Sequence, residues 1–417
     1  MISVYTDSEI MKKRAENLKK EKPERTCKLR YIDTIVSKKS VSDSIIGLGD
    51  KVVVKISFQR LDNDCDYLCT ETKLYKNAIP MLLQATPNIV YVYDVVHCDN
   101  FWKDIETDIP LLQKIVDVQK KKKKLQKITN LQTETRNISE KHKDQYNFNV
   151  ANIIVLERTQ GTTFNDLLTS NKSYHILPIL FQLFYTLNLF NIAGFKHNDL
   201  HDSNIMINYS STEYMIVYYV SALKKWFEIR SNYLVKIFDF DRSSLTNPTL
   251  TIKNIYLDTK RNCECWGECN DPGSRYDTFT IISIMNFYMN DNKNIDFIVK
   301  FVLSRFINYV VPDSSLFDKN WGWPHRLCKI GTSENPNCQD SYCRGAYNKA
   351  VINKKILSTE DILKYQGFSS LEIKDRTVIS NIIKSGEYFT DDLENKPIEP
   401  PPVEIPKKRD LFGNIII

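Results

Sequence analysis

Residues 197–204 read His-Asn-Asp-Leu-His-Asp-Ser-Asn, and forty residues after Asp199 the chain reads Asp239-Phe240-Asp241. The two segments offer two carboxylates and an amide in an arrangement that suits phosphoryl transfer. Asp199 could accept the proton of an attacking hydroxyl, and Asn204 and Asp239 could hold Mg²⁺ against nucleotide phosphates. Such a reaction asks a protein for little covalent chemistry. It asks for positioning and neutralisation of charge, which these side chains can supply.

Groups of this kind need an apolar frame. The longest apolar stretch, Ile176 to Phe195, leads directly into the first segment. It carries Pro178, Gln182, Asn188 and Asn191, so it reads as a buried helix and not as a membrane span. Ile205-Met206-Ile207 is a short strand. Met215–Val220, Trp226–Ile229 and Leu234–Phe238 are strand-like runs leading to Asp239. Nearer the N-terminus, Leu29 to Ser57 has a strand pattern. There Val52, Val53, Val54 and Ile56 flank Lys55, and Gly47-Leu48-Gly49-Asp50 makes a hairpin turn. Residues 66–84 are predicted helical, with Leu68, Leu74 and Tyr75 on one face. Ile89–Val96 and Ile153–Leu156 are predicted strands, the latter followed by a turn at Gln160-Gly161. Between them, residues 98–150 form a polar insertion, helical or partly disordered, whose run Lys120 to Lys124 reads as a solvated face. Residues 1–28 are a charged arm. The second half of the chain is helical in pattern, and the Pro-rich tail from Lys396 is expected to be extended.

The 417 residues allow one large two-lobed domain with insertions. A net charge of +6 is too small an excess to indicate nucleic-acid binding. The first turns carry Asp7, Glu9, Lys12, Lys13 and Arg14, which leaves no apolar leader there. The expected compartment is therefore reducing and cytoplasmic, with the ten cysteines mostly free thiols. Cys263, Cys265 and Cys269, with one of Cys328, Cys338 or Cys343, offer a structural Zn²⁺ site as the alternative to plain thiols.

In order along the chain, these motifs resemble the eukaryotic-type protein kinases. Val52-Val53-Val54-Lys55 looks like the family's Val-Ala-Ile-Lys strand, and Glu71 like the helix glutamate that pairs with that lysine. Pro87-Asn88-Ile89-Val90 is similar to the approach to the fourth strand, and Leu156-Glu157-Arg158 stands where the hinge would carry adenine. His197-Asn198-Asp199-Leu200 with Asn204 matches the catalytic loop, and Asp239-Phe240 the metal-binding motif. Tyr276-Asp277-Thr278-Phe279 resembles the start of the large helix whose aspartate braces that loop. Ser358 to Phe368 looks like the closing helix.

The resemblance covers roughly residues 29–370. It implies an α+β, two-lobed fold: a small antiparallel sheet with one helix over about 29–155, and a mainly helical lobe over about 156–370. Residues 371–417 would be a C-terminal extension. The implied activity is transfer of the ATP γ-phosphate to serine or threonine of protein substrates. Asp199 would be the base, Lys55 held by Glu71 would meet the α- and β-phosphates, His201 would touch the γ-phosphate, and Asn204 and Asp239 would hold Mg²⁺.

The chain also departs from the pattern. Ser37-Lys38-Lys39-Ser40-Val41-Ser42 stands where a Gly-rich loop is expected, so Ser37 and Ser40 become the candidate phosphate-capping residues. That departure keeps a pseudokinase scaffold open as an alternative. Asn198 replaces an arginine that normally pairs with a phosphorylated activation loop, so activity is expected to need no such phosphorylation. His201 replaces a lysine, and the form His-x-Asp-x-His also resembles small-molecule kinases of the aminoglycoside and choline type. Asp241 replaces a glycine, a place where aspartate tolerates left-handed backbone. The long gap between Asp199 and Asp239 is expected to hold an inserted hairpin at 209–233. Together these features are similar to the divergent kinases of large cytoplasmic DNA viruses, which would place the protein in host cytoplasm or virion.

Overall fold

The computed structural model describes residues 2–3, 12–13, 27–29, 32–36, 44–61, 67–106, 116–142, 145–169, 176–253, 275–291, 295–312 and 356–393. The fold is α+β, with antiparallel sheets and several helices.

The N-terminal sequence supplies a two-residue strand β1 (Ile2–Ser3), then β2 (Thr34–Val36), β3 (Ile45–Leu48) and β4 (Val52–Arg60). Helices α1 (Tyr67–Asn77) and α2 (Ile79–Ala85) follow, then β5 (Val92–Cys98), α3 (Phe101–Glu106), α4 (Val118–His142) and β6 (Tyr146–Glu157). Strands β2 to β6 form one antiparallel sheet in the order β2-β3-β4-β6-β5. Alternation along β4 decides what each face holds. Val54, Ile56 and Phe58 enter a core with Ile35, Val96, Phe101, Ile153 and Val155, whereas Lys55 faces the other way.

Within the lysine-rich insertion the longest element is the helix α4. Its first lysines are exposed, while Leu131, Thr135 and Ile138 are buried against the sheet. Lys127 anchors the helix by donating to the carbonyls of Leu29 and Ile32. The sheet thus carries several helices where one was expected. Strand β5 begins at Val92, because Ile89 leaves this sheet to bridge Ile237 instead. Cys27 and Cys98 form a disulfide, which corrects the free-thiol expectation for that pair. Nothing in their spacing signalled it, because a sequence separation of 71 says nothing of a 5.8 Å Cα separation.

Strand β7 (Gly161–Thr163) and α5 (Phe164–Thr169) lead to α6 (Ile176–Ala193), the apolar helix. It is long and apolar enough to cross a membrane by length and composition, but 83% of it is buried inside the protein. Phe181, Leu183, Phe184, Leu187 and Phe190 fill the larger core, each worth about 1.5–3 kcal/mol on full burial. Gly194 ends the helix at φ +69, where a Cβ would collide with the Thr246 carbonyl. The chain then turns into β8 (Phe195–Lys196).

After the first chemical segment come β9 (Ile205–Val220) and β10 (Lys225–Ile237), paired from Ile205↔Ile237 to Val220↔Lys225. The hairpin expected at 209–233 is the outer part of this strand pair. The strands flanking the site simply continue outward, with one irregularity between Ser231 and Tyr233. Further on lie β11 (Ser244–Thr246), β12 (Thr251–Ile252), α7 (Tyr276–Asp291) and α8 (Phe297–Val310). The chain closes with the single-turn helix α9 (Thr359–Ile362), β13 (Glu372–Ile373), α10 (Arg376–Ser385) and β14 (Phe389–Thr390).

Strands β1, β7, β9, β10, β13 and β14 make a six-stranded sheet, so the region expected to be mainly helical holds a substantial sheet. The C-terminal extension packs on this sheet over residues 371–393. β13 pairs with β10, β14 pairs with β9, and the buried Asp391 accepts from the Ser221 N–H and from Asn188. The expected closing helix is one turn plus a 3-10 segment, and Phe368 is buried against Phe181, Phe306 and Tyr365.

A buried polar knot ties the segment before β5 to α6 and to the six-stranded sheet. Asn88 donates to Gln182 Oε1 and the Val235 carbonyl and accepts from Tyr218, so its amide is satisfied on both sides.

Candidate functional site

Three distant segments meet at Lys55. Its Nζ lies 2.7 Å from Glu71 Oε2 on α1 and donates to Asp239 Oδ1 at 2.8 Å, after the end of β10. Lys55 and Glu71 are buried, so these are not solvent-screened surface pairs. Burial opposes the charge on Lys55, yet Asp239, Glu71 and Asp241 outweigh it and raise its pKa well above 10.5. Glu71 is pushed up to about 7, first by burial and then by Asp239 and Asp241, against the pull of Lys55. Burial and the charge of Asp239 likewise push Asp241 up to about 6. The buried Glu71 Oε1 has no hydrogen-bond partner among the described residues. Three carboxylates around one ammonium leave this spot short of positive charge.

Asp239 has φ +68, so the left-handed residue of this motif is Asp239 and not Asp241. That turn lets Phe240 drop into a slot between two elements. Its ring meets Tyr75 of α1 at 5.5 Å, Phe195 at 5.5 Å and His197 at 5.2 Å between centroids. Tyr75 lies one helical turn beyond Glu71, so Phe240 couples the helix bearing Glu71 to the loop bearing Asp199.

That loop is held from below. Asp277, in the first turn of α7, accepts from the His197 N–H at 2.8 Å and the Asn198 N–H at 2.9 Å. Asn198 sits at φ +66, a strained conformation that the two charge-assisted bonds maintain. Ser243 Oγ donates to the His197 carbonyl, and the His197 ring Nε2 lies 3.0 Å from the Phe238 carbonyl. Asn204 Nδ2 donates to the Asp199 carbonyl at 2.9 Å, which orients the amide.

His201 caps the short turn Asp202–Asn204, its Nδ1 accepting from the Ser203 N–H. Its Nε2 is 3.9 Å from Asp199 Oδ2. Burial disfavours a charge on His201, but the Asp202 hydrogen bond and the charges of Asp199, Asp202 and Asp239 raise its pKa above 6.5.

The expected residues Lys55, Glu71, Asp199, His201, Asn204 and Asp239 thus share one neighbourhood. Glu157 has other work. Its carboxylate accepts from Lys236 at 2.9 Å and from the Tyr91 N–H, and its own N–H donates to the Tyr91 carbonyl. Both groups are engaged within the protein, so the side chain is not presented to a nucleotide. Ser37, Ser40, Cys263, Cys265 and Cys269 lie outside the described residues. Sequence reasoning missed Lys236, the slot around Phe240, and Arg242, whose Nε stands 4.0 Å from Asp199 Oδ2. Arg242 had one signal, a basic residue directly after Asp239-Phe240-Asp241.

An amide oxygen on Asn204 and a carboxylate on Asp239 are hard donors of the kind Mg²⁺ prefers. Among the described residues no group of three or more His, Cys, Asp or Glu forms a ready metal cage. Mg²⁺ at nucleotide sites uses one or two protein ligands completed by phosphates and water, so the donor set fits that ion.

No protein-family model matches the chain, and no curated protein matches it. The functional reading stands on the residues themselves.

Proposed function

We propose that the protein is an ATP-dependent protein kinase of two-lobed, protein-kinase-like fold, acting on serine or threonine. The sheet β2–β6 with α1 would be the smaller lobe, and α6 to β14 the larger one. The observation that carries this reading is Lys55 bonded at once to Glu71 and Asp239. That contact joins strand, helix and metal-motif residues up to 184 positions apart in the order a phosphotransferase needs. The Asp277 brace under the Asp199 loop supports it independently.

In the proposed reaction the acceptor hydroxyl oxygen attacks the γ-phosphorus and its proton passes to the Asp199 carboxylate. The bond from the γ-phosphorus to the bridging oxygen breaks, and ADP leaves with that electron pair. Lys55, kept charged by its two carboxylates, holds the α- and β-phosphates. Asn204 and Asp239 would hold Mg²⁺, which when bound neutralises phosphate charge. Asn204 also fixes the Asp199 backbone, so the base and one metal ligand share a hydrogen bond.

The test is transfer from γ-labelled ATP to generic protein substrates, with and without Mg²⁺. Label is expected in protein only with Mg²⁺, and Asp199→Ala is expected to abolish it while the fold persists. Undiminished transfer by Asp199→Ala would overturn the mechanism. No transfer by the native protein, together with no stabilisation by ATP·Mg²⁺, would favour a pseudokinase scaffold.

A further inference from the structure

Asn198 stands where the family resemblance places an arginine, and its side chain does something else here. Its Nδ2 donates to the Arg242 carbonyl at 3.2 Å and to Ser244 Oγ at 3.3 Å. The residue gripped in this way returns a guanidinium to the same loop, with Arg242 Nε 4.0 Å from Asp199 Oδ2. His201 Nε2 approaches that same oxygen at 3.9 Å. The Arg242 guanidinium and the His201 ring therefore flank Oδ2, and among the described residues no ion pair is made to Oδ1.

We propose that Arg242 is a positioning residue for Asp199: anchored by Asn198, its guanidinium draws Oδ2 to one side and turns Oδ1 toward the acceptor hydroxyl. This rests on the phosphotransferase reading above. A carboxylate rotates broadly about its last torsion, so one fixed charge near one oxygen is enough to bias the rotamer. At about 4 Å the attraction exceeds thermal energy even when largely screened. Arginine suits the task because its charge does not vary with pH, whereas the charge on His201 does. The positive group beside the base is thereby moved from position 198 to position 242. It is tied to the chain's own backbone, so the arrangement needs no phosphorylated partner.

The test is a double-mutant cycle on transfer from γ-labelled ATP, using native protein, Arg242→Gln, Arg242→Lys, Asn198→Gly and the double variant Asn198→Gly/Arg242→Gln. Glycine is chosen at 198 because it tolerates the positive φ, so only the side-chain grip is lost. Arg242→Gln is expected to lower kcat about 10- to 100-fold. Its KM for ATP and its thermal stabilisation by ATP·Mg²⁺ should stay within twofold of native. Arg242→Lys should recover part of the loss. Asn198→Gly should lower kcat by a smaller factor, and the double variant should be no slower than Arg242→Gln alone, because the grip acts only through the arginine.

Equal kcat in native and Arg242→Gln protein would overturn the proposal, as would multiplying losses in the double variant or no recovery with lysine. Arg242→Gln losing nucleotide stabilisation as well as kcat would overturn it too, since that marks a general structural role. A native protein that binds ATP·Mg²⁺ but transfers nothing would refute the phosphotransferase reading, and this inference with it. A native protein that transfers phosphate no faster than Arg242→Gln refutes this inference alone.

Discussion

Replacing Asp277 with asparagine should unfasten the loop that carries Asp199 while leaving α7 in place. The native carboxylate accepts two backbone N–H groups, from His197 at 2.8 Å and Asn198 at 2.9 Å. A hydrogen bond to a charged group contributes about 1.5–3 kcal/mol, and a buried donor left unsatisfied costs about 1–3 kcal/mol. Asparagine keeps one acceptor oxygen but sets its NH₂ against the other backbone donor. The expected loss is therefore about 1.5–3 kcal/mol, the contribution of the one charged bond that is lost. Against a typical total of about 5–15 kcal/mol the variant should still fold. The strain at Asn198 is then no longer fully opposed, so residues 197–199 should relax. A shift of the base by about 1 Å costs on the order of 100-fold in rate. Urea unfolding followed by far-UV circular dichroism gives the first quantity, and transfer from labelled ATP gives the second. A stability change under about 0.5 kcal/mol, or an unaltered rate, would refute the claim that Asp277 holds the loop.

Lys55→Met should remove the thermal stabilisation by ATP·Mg²⁺, expected to reach about 2.7 kcal/mol in the native protein at a hundredfold excess over Kd; a full shift in the variant counts against the proposed phosphate contact. Glu71 provides a pH test on protein free of nucleotide and metal. Its pKa is raised from 4.5 to about 7, so its contribution is fully present below 4.5 and is lost as pH rises through about 7. Glu71→Gln should flatten that part of the stability profile, which amounts to roughly 3 kcal/mol, and identical slopes in the two proteins would contradict the burial argument. Reducing the Cys27–Cys98 disulfide, or making Cys27→Ser, should cost about 4 kcal/mol by loop-closure entropy over its 71-residue separation. Urea midpoints indifferent to reductant would show that the bond contributes nothing to the fold.

Local chemistry explains which features could be read in advance. Lys55 amid three valines, Glu71 on a helical pattern, and the spacing from Asp199 to Asn204 each follow from rules that act over a few residues. So does the buried character of Ile176–Ala193, because its amide and proline content suits a protein interior. The same rules had no access to partners. Glu157 was a hinge residue by position alone, and it became the counter-ion of Lys236 because β6 and β10 approach each other in space. The strands β9 and β10 looked like separate short runs, since polar residues at 210–213 and 230–232 interrupt the pattern. Cross-strand pairing resumes on either side of those interruptions, Ser231 with Tyr214 and Tyr233 with Tyr209, so the short runs belong to one long pair of strands.

The contrast is clearest at the site itself. The amino-acid order alone was enough to nominate a base, two metal ligands and a lysine–glutamate pair, because each depends on residue type and short spacing. Which of them touch was a matter for the fold. Lys55 reaches both Glu71 and Asp239 only because β4, α1 and the end of β10 converge, and Phe240 locks the last two together. Arg242 stands beside Asp199 because the turn after Asp239 returns to that loop, where Asn198, in left-handed backbone over Asp277, donates to the Arg242 carbonyl. Hydrogen bonds and charge pairs act over a few ångströms of space, whatever the number of residues between them, and that distance is set by packing.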